Sequence, residues 1–308
     1  MFNLQETINW DNEDFIKQFF NCTSRYEKKK KLKEVSASNY EIIKQKSCPT
    51  PWTYKYEYKD YPYIANNFCY GKKGIITIED LTTDDAIVKY SDLGYEVIAL
   101  NYANAFTPGG GYLNGSIAQE EELCRQYPHL YNSLKNSKHS KKNYYPLSNN
   151  HLLITHDIKR YRENCNNGYK VIKNPDITAG FITTAAPNMR SIKNKGKQFD
   201  DYRGEIHKLL KMIFSVAYTK LLSFLKTKFR IKDSEQKGYD VLIIGAWGCG
   251  AFAPIGTKDR IRYITDMANL MAYVANQYRH MYDYISVAIP DKNSENYKIF
   301  RKAFSKII

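Results

Sequence analysis

The sequence predicts an α/β fold whose central strands are covered by helices on both faces. Strand, helix and strand candidates alternate over Ile75–Asp80, Thr82–Tyr95 and Val97–Leu100, as in an α/β sheet. The segment Tyr239–Gly245 is fully apolar, which is typical of a strand in the middle of a sheet. A glycine-rich loop follows each central strand. Because ligands bind beyond the carboxyl ends of such strands, we expect both loops to face one cleft.

The other elements are predicted from apolar periodicity, capping residues and prolines. The N-terminal part is expected to be helical from Asn12 to about Lys46, interrupted by the basic run Lys28–Lys33, and extended between Cys48 and Tyr70. Thr82 or Thr83 is the expected N-cap of the first helix of the sheet region. Short strands are expected at Leu152–Thr155, Val171–Ile172, Gly180–Thr184 and Ile285–Ile289, helices at about Phe199–Lys226, Arg260–His280 and Ser294–Ser305, and a surface loop at Lys135–Asn150.

The composition favours a large core and leaves the partner open. At 308 residues the chain can bury a sizeable core without metals or disulfides. The formal net charge of +14 suits a polyanionic partner, and it equally suits lysines on solvated surfaces. Similarly, Lys28–Lys33 is either a nuclear-localisation or nucleic-acid patch or, more commonly, an exposed helix face.

Cysteine and histidine spacing indicates the compartment and the kind of chemistry. The six cysteines form no CxxC pair, and this pattern fits a reducing environment. We therefore expect an intracellular, cytoplasmic protein, with the nucleus as the alternative if the source is eukaryotic or viral. The N-terminus lacks the apolar core of a signal peptide, and no apolar run approaches the ~18 residues of a membrane span. No metal-binding spacing occurs among the six histidines. We therefore expect chemistry without a metal or cofactor.

One stretch, Pro108–Glu122 (PGGGYLNGSIAQEEE), dominates the functional analysis. Three consecutive glycines allow a backbone to approach a ligand closely, and their amides can cradle an anion. Seven residues later Gln119 and the acidic run Glu120–Glu122 open a helix, where carboxylates also stabilise the helix dipole. Capping alone does not explain the adjacent triple glycine, so the stretch predicts a functional loop.

The pattern GGG, seven residues, QEE resembles the microbial-type poly(ADP-ribose) glycohydrolases. Three further stretches, Ile98–Gly111, Ile182–Asn188 and Leu242–Phe252, resemble that family in the same order. The resemblance implies a macrodomain-like three-layer α/β/α fold with a mixed central sheet. Because it begins near Gly74, we expect an N-terminal helical accessory segment (residues 1–72) packed on a catalytic domain (residues 73–308).

The resemblance also implies the catalytic residues. Glu121 would be the general acid that protonates the leaving oxygen, and Glu120 would bind and orient the leaving ribose. Gln119 opens the motif and is expected to bind substrate, whereas Glu122 lies outside the motif and is expected only to start the helix. Adjacent carboxylates repel each other, which raises at least one pKa.

Further residues would bind the rest of the ligand. The resemblance implies that Asn101 and Asn104 hold the distal ribose, although an Asn after a strand also stabilises turns. The resemblance implies that Phe252 closes over the ligand; alternatively, it is an ordinary core residue. Backbone amides are expected to cradle the diphosphate at Gly109, Gly110, Gly111, Gly248, Cys249, Gly250 and Ala251. Small size explains Cys249 better than a nucleophilic role. After Phe252 the chain departs from the family pattern, and no acidic residue can be matched to adenine.

Several functions remain open at this stage. The leading prediction is a poly(ADP-ribose) glycohydrolase that cleaves ribose–ribose bonds from the chain end, with ADP-ribosylated proteins or the polymer as partners and ADP-ribose as product. The alternatives are a hydrolase of mono-ADP-ribosylated protein or nucleic acid, and a non-catalytic ADP-ribose reader. Retention of Glu120 and Glu121 favours an enzyme, because binding needs no acid. Nucleic-acid binding by the basic N-terminal part is compatible with each.

Overall fold

A computed structural model describes residues 13–45, 50–60, 74–139, 143–191, 196–218 and 238–308. Seven strands within these ranges form one mixed sheet in the order β1-β4-β5-β3-β6-β7-β2. The strands are β1 (Thr53–Glu57), β2 (Ile75–Glu79), β3 (Val97–Tyr102), β4 (His151–Lys159), β5 (Thr178–Thr184), β6 (Val241–Ile244) and β7 (Tyr284–Ala288). The predicted α/β class with a mixed sheet is confirmed.

The central strands β5, β3, β6, β7 and β2 are parallel, and β4 runs antiparallel to both β5 and β1. Alternate residues of β3 enter opposite cores: Ile98 and Leu100 pack on one face, and Val97 and Ala99 on the other. Both faces of this strand are therefore buried, which explains its unbroken apolar sequence.

Helices cover both faces of the sheet. One face carries α3 (Thr83–Asp92), α4 (Gln119–Gln126) and α5 (Pro128–His139); the other carries α6 (Arg203–Phe214), α7 (Thr257–Tyr278) and α8 (Glu295–Phe304). Thr82 is the N-cap of α3, and its side chain accepts the amide of Asp85 in a capping box. The arrangement has three layers. None of the helices in the described ranges is long and apolar enough to cross a membrane.

The N-terminal part differs from the prediction in two places. The helices α1 (Glu13–Phe20) and α2 (Arg25–Gln45) are separated at Thr23 and Ser24. The amides of Thr23 and Ser24 donate to Glu27 Oε2, and the Glu27 amide donates to Ser24 Oγ. The basic run Lys28–Lys33 therefore lies inside α2, where lysine is compatible with the helix, and does not interrupt it. Within the predicted extended segment, β1 forms an edge strand paired with β4.

This strand also concerns the predicted division at residue 72. β1 belongs to the segment expected to be accessory, yet it hydrogen-bonds into the central sheet. The division itself stays a prediction, and residues 61–73, which include it, lie outside the described residues.

Other boundaries also differ. The helix after the triple glycine is broken at Tyr127 into α4 and α5, because Pro128 cannot continue the preceding helix. The expected surface loop Lys135–Asn150 begins as the end of α5 and includes the buried side chains of Tyr145 and Leu147. The predicted helix Phe199–Lys226 is α6 flanked by short 3₁₀ turns, and its part beyond residue 218 lies outside the described residues. Val171 makes only an isolated bridge with Arg162.

Candidate active site

A cleft of about 700 Å³ lies at the carboxyl ends of β3, β6 and β7, a volume suited to a small-molecule site. The two glycine-rich segments reach it differently. The second loop lines it with Gly248, Gly250, Ala251 and Phe252, while the first segment contributes Ala118 to Glu122. The predicted common cleft is therefore present, but Gly109–Gly111 lie behind the two glutamates and are not among its lining residues.

Glu120 and Glu121 are buried at the start of α4 and are held by the backbone before it. Glu120 accepts the amide of Asn104 at 2.7 Å on Oε2 and the amide of Gly109 at 3.1 Å on Oε1. Glu121 Oε1 accepts the amide of Gly111 at 2.8 Å. Its other oxygen, Oε2, is buried and has no partner within the described part of the chain. One oxygen of Glu121 is thus fixed while the other is available.

The triple glycine therefore has a different role from the one predicted. The amides of Gly109 and Gly111 donate to the glutamates, and that of Gly110 donates to the Thr107 carbonyl at 2.9 Å. These three groups were expected to cradle a diphosphate. In the structure two of them bind carboxylates and the third binds a backbone carbonyl.

The electrostatic environment favours a proton on the glutamate pair. Burial raises the pKa of Glu120 to about 8, its bonds to the Asn104 and Gly109 amides lower it, and the charge of Glu121 raises it further. Glu120 therefore retains a proton near neutral pH.

The polar residues around the pair have mainly structural contacts. Gln119 lines the cleft, but its side chain accepts the Tyr102 amide at 2.9 Å and donates to the Leu100 carbonyl at 2.7 Å, which fixes α4 to the end of β3. Asn101 is fully buried, donates to Thr183 Oγ1 at 3.2 Å and is not among the lining residues. It lies beneath the cleft, and its expected contact with ribose stays a prediction.

Asn104 does line the cleft. Its Oδ1 accepts the amides of Phe106 and Thr107 at 2.9 and 3.0 Å, which is the turn-stabilising alternative considered for this residue. Its backbone amide meanwhile binds Glu120. The residue therefore contributes to the site through its main chain.

Two arginines bind carbonyl groups of the second glycine loop. Arg260 donates to the carbonyls of Cys249 at 3.0 Å and Gly250 at 3.2 Å, and Arg190 donates to that of Ala253 at 2.8 Å. The Cys249 amide is itself bonded to the Ala246 carbonyl at 3.1 Å, so it differs from the expected free donor.

The amides of Gly248, Gly250 and Ala251, which were expected to hold the diphosphate, have no partner in the chain as far as the structure describes it. Gly248 has φ +76°, and a Cβ there would lie 2.8 Å from Ala186 Cβ, so the turn requires glycine. This is a backbone concavity suited to an anion.

Cys249 and Phe252 occupy contrasting positions in this loop. Cys249 is buried, its Sγ lies 3.6 Å from the Trp247 carbonyl, and burial raises the pKa of its thiol. A buried neutral thiol is a poor nucleophile, in agreement with its expected role as a small residue. Phe252 is half-buried, lines the cleft and packs on the core.

Sequence reasoning missed several residues that support the site. Glu122, expected only to start the helix, pairs with Arg125 at 2.7 Å and accepts Tyr169 Oη at 2.6 Å. Asp84, placed by sequence in a helix first turn, forms a buried two-point pair with Arg160. The Glu122–Arg125 pair spans only three residues, but no local pattern indicated the contacts of Glu122 with Tyr169 and of Asp84 with Arg160, because these partners are 47 and 76 residues apart.

Among the residues that the structure describes, no group of three or more His, Cys, Asp or Glu side chains could hold a metal ion. The expectation of chemistry without a metal stays a prediction. The cysteines at positions 22, 124, 165 and 249 are free thiols.

Comparison with known proteins agrees with this geometry. Residues 13–163 match the family model described as microbial-type PARG, catalytic domain. Poly(ADP-ribose) glycohydrolase from Thermomonospora curvata superimposes with a TM-score of 0.64 at 20% identity, covering 90% of this chain and 99% of that one. The enzyme from Deinococcus radiodurans in complex with ADP-ribose gives 0.62 at 18% identity, covering 82% and 94%. No curated protein matches the chain.

The same Thermomonospora enzyme has also been solved with the inhibitor ADP-HPD, and that structure gives a TM-score of 0.62. At these identities the solved structures establish the shared fold, and the family model establishes the relationship. The match also crosses residue 72, so the family's catalytic-domain model includes α1, α2 and β1. On these grounds residues 13–163 belong to the microbial-type poly(ADP-ribose) glycohydrolase family, whose solved enzymes share the fold of the chain.

Proposed function

We propose that the protein hydrolyses the ribose–ribose O-glycosidic bonds of poly(ADP-ribose) from the chain end and releases ADP-ribose. The observation that carries the proposal is the buried pair Glu120 and Glu121, held by backbone amides at a cleft whose facing loop offers unbonded amides. Membership of the family supplies the substrate class. Cleavage from the chain end rests on the resemblance.

In the proposed reaction Glu121 is the general acid and base. Its Oε1 is fixed by Gly111, so the proton is carried on Oε2 and passes to the departing 2′ oxygen as the bond to the anomeric carbon breaks. The same carboxylate then accepts a proton from the water that attacks the anomeric carbon. Glu120, bonded to two amides, orients the leaving ribose.

The diphosphate is assigned to the second glycine loop. The amides of Gly248, Gly250 and Ala251 are available as donors, and the arginines behind the loop keep the carbonyls turned away. Phe252, beside them, would pack on the distal ribose.

Substitution of the proposed acid tests this mechanism. Glu121→Gln keeps the size of the side chain and its acceptor for Gly111 but cannot donate and regain a proton, so we expect kcat to fall ~10²–10⁴-fold with ADP-ribose affinity retained. The measurement is release of ADP-ribose from automodified polymer, with binding by calorimetry. Glu205→Gln, on the exposed start of α6, is the control. Full activity in the Glu121 variant would contradict the assignment.

Product analysis separates the proposed activity from its alternatives. ADP-ribose released from polymer but not from mono-ADP-ribosylated protein supports the proposal, and longer oligomers as first products would contradict cleavage from the end. Release from the mono-modified substrate alone would indicate the hydrolase alternative, and binding without release would indicate a reader. Activity unchanged by EDTA is expected from the predicted metal independence.

A further inference from the structure

We infer that Asn39, on the N-terminal helix α2, is a positioning residue for the catalytic pair. Its side chain binds both ends of the segment from Tyr112 to Arg125, which carries Glu120 and Glu121. The inference rests on the function proposed above, because it concerns the placement of the proposed acid. It gives the N-terminal helix a part in the chemistry.

The contacts of Asn39 use its whole amide group. Nδ2 donates to Tyr112 Oη at 2.8 Å and to the Arg125 carbonyl at 3.0 Å, while Oδ1 accepts Arg162 Nε at 2.5 Å. Asn39, Tyr112, Arg125 and Arg162 are all buried. A buried amide with both hydrogens and its oxygen engaged has one orientation, so the two contacted groups are held at a fixed separation.

That separation determines the geometry at Glu121. Tyr112 directly follows Gly111, whose amide binds Glu121 Oε1, and Arg125 lies one turn after Glu121 on α4. If the turn at Tyr112 moves relative to α4, the bond between Gly111 and Glu121 lengthens or is lost. Asn39, which lies on α2, hydrogen-bonds both Tyr112 and Arg125 of α4.

Neighbouring contacts strengthen the same junction. Ser36, one turn earlier on α2, donates to the Tyr112 carbonyl at 2.9 Å. Arg125 donates to the Ser116 carbonyl at 2.5 Å, which joins the connecting loop to α4. A displacement of about 1 Å at a catalytic group can cost on the order of 100-fold in rate. Asn39 is well placed to prevent such a displacement.

Two substitutions test the inference from the two ends. Asn39→Asp preserves the shape of the side chain and its acceptor for Arg162, but it replaces the donor to the Arg125 carbonyl by an oxygen. Tyr112→Phe removes only the hydroxyl that Asn39 binds. We expect each to lower kcat on polymer at least tenfold, with ADP-ribose affinity within threefold of wild type. Ser38→Ala is the matched control, because Ser38 is buried on α2 and bonds to Arg162 without touching the catalytic segment. Its kcat should stay within twofold.

A second measurement does not depend on activity. Hydrogen–deuterium exchange of peptides covering residues 109–126 should rise at least tenfold in Asn39→Asp and stay unchanged in Ser38→Ala. A kcat for Asn39→Asp within twofold of wild type, unchanged exchange, or an equal loss in Ser38→Ala would overturn the inference. If Asn39→Asp does not fold, the kcat of Tyr112→Phe decides. A wild-type protein that is inactive on polymer would refute the proposed function. The exchange experiment would still test whether Asn39 holds residues 109–126 in place.

Discussion

At the residue scale, the triple glycine is explained by the two carboxylates that lie against it. Gly110 has φ +54°, and a Cβ on it would lie 2.6 Å from Glu121 Oε1 and 3.1 Å from Glu120 Oε2. Gly109 has φ +69° and is crowded by Tyr131. Glycine is therefore required both for the left-handed turn and for the approach of two glutamates to the backbone.

A single methyl group at this turn should disable the site. Gly110→Ala would push the Glu121 carboxylate out of its bond with Gly111, so we expect kcat to fall ~100-fold or more, as for a displaced catalytic group. Initial rates of ADP-ribose release measure it. Gly204→Ala is the control, since a Cβ there meets nothing within 4 Å. A Gly110 variant of normal activity would show that the spacing is not critical.

At the element scale, the two loops of the cleft are supported from behind by different structures. The first is fixed by α2 and α4, and the second by the arginines of α7 and of the segment after β5. Arg260 lies in the first turn of α7 and binds two consecutive carbonyls of the loop, at Cys249 and Gly250. Removing this support should loosen the amides without touching the glutamates.

Arg260→Ala is therefore expected to weaken binding more than catalysis. We predict a ~10-fold rise in the Kd for ADP-ribose and in KM, with kcat within about threefold, the pattern of a lost ground-state contact. Calorimetry and steady-state rates measure the two effects. Arg262→Ala serves as the control because its side chain is 64% exposed. A large fall in kcat with unchanged KM would contradict the assignment of this loop to the diphosphate.

At the scale of the whole molecule, the buried acid should appear in the stability of the fold. The folded protein raises the pKa of Glu120 to about 8, above the ordinary value of 4.5. Between these values the folded state holds a proton that the unfolded state has released, so the free energy of unfolding falls as pH rises from about 4.5 to about 8. Below that window both states are protonated and the loss is absent.

Chemical unfolding at pH 5 and pH 8 measures this effect. Glu120→Gln removes the ionisation, so its stability should fall less than that of the wild type between the two pH values, whereas Glu205→Gln should follow the wild type. Parallel pH profiles for Glu120→Gln and wild type would show that Glu120 is not ionising in this window.

Much of the fold was readable from local sequence. The strands β3 and β6 are confirmed because a short unbroken apolar run indicates a strand buried on both faces. The helix α3 is confirmed because its capping box is formed by neighbouring residues in the sequence. The glutamate pair was located by its motif. The break at Thr23 was missed although Ser24 and Glu27 form a local cap there. The strand β1 was missed because tyrosines fit several conformations and its pairing with β4 depends on distant residues.

The sequence by itself determined the α/β class, the family and the two glutamates, because apolar periodicity and a spaced motif record local and chemical requirements. Only the tertiary structure decided which amides bind the glutamates and which have no partner among the described residues. Gly111 binds Glu121 across ten residues, Asn39 binds Arg125 across 86, and Arg260 turns the second loop. Such hydrogen bonds form only when the packed sheet brings distant segments together, and no local pattern specifies them.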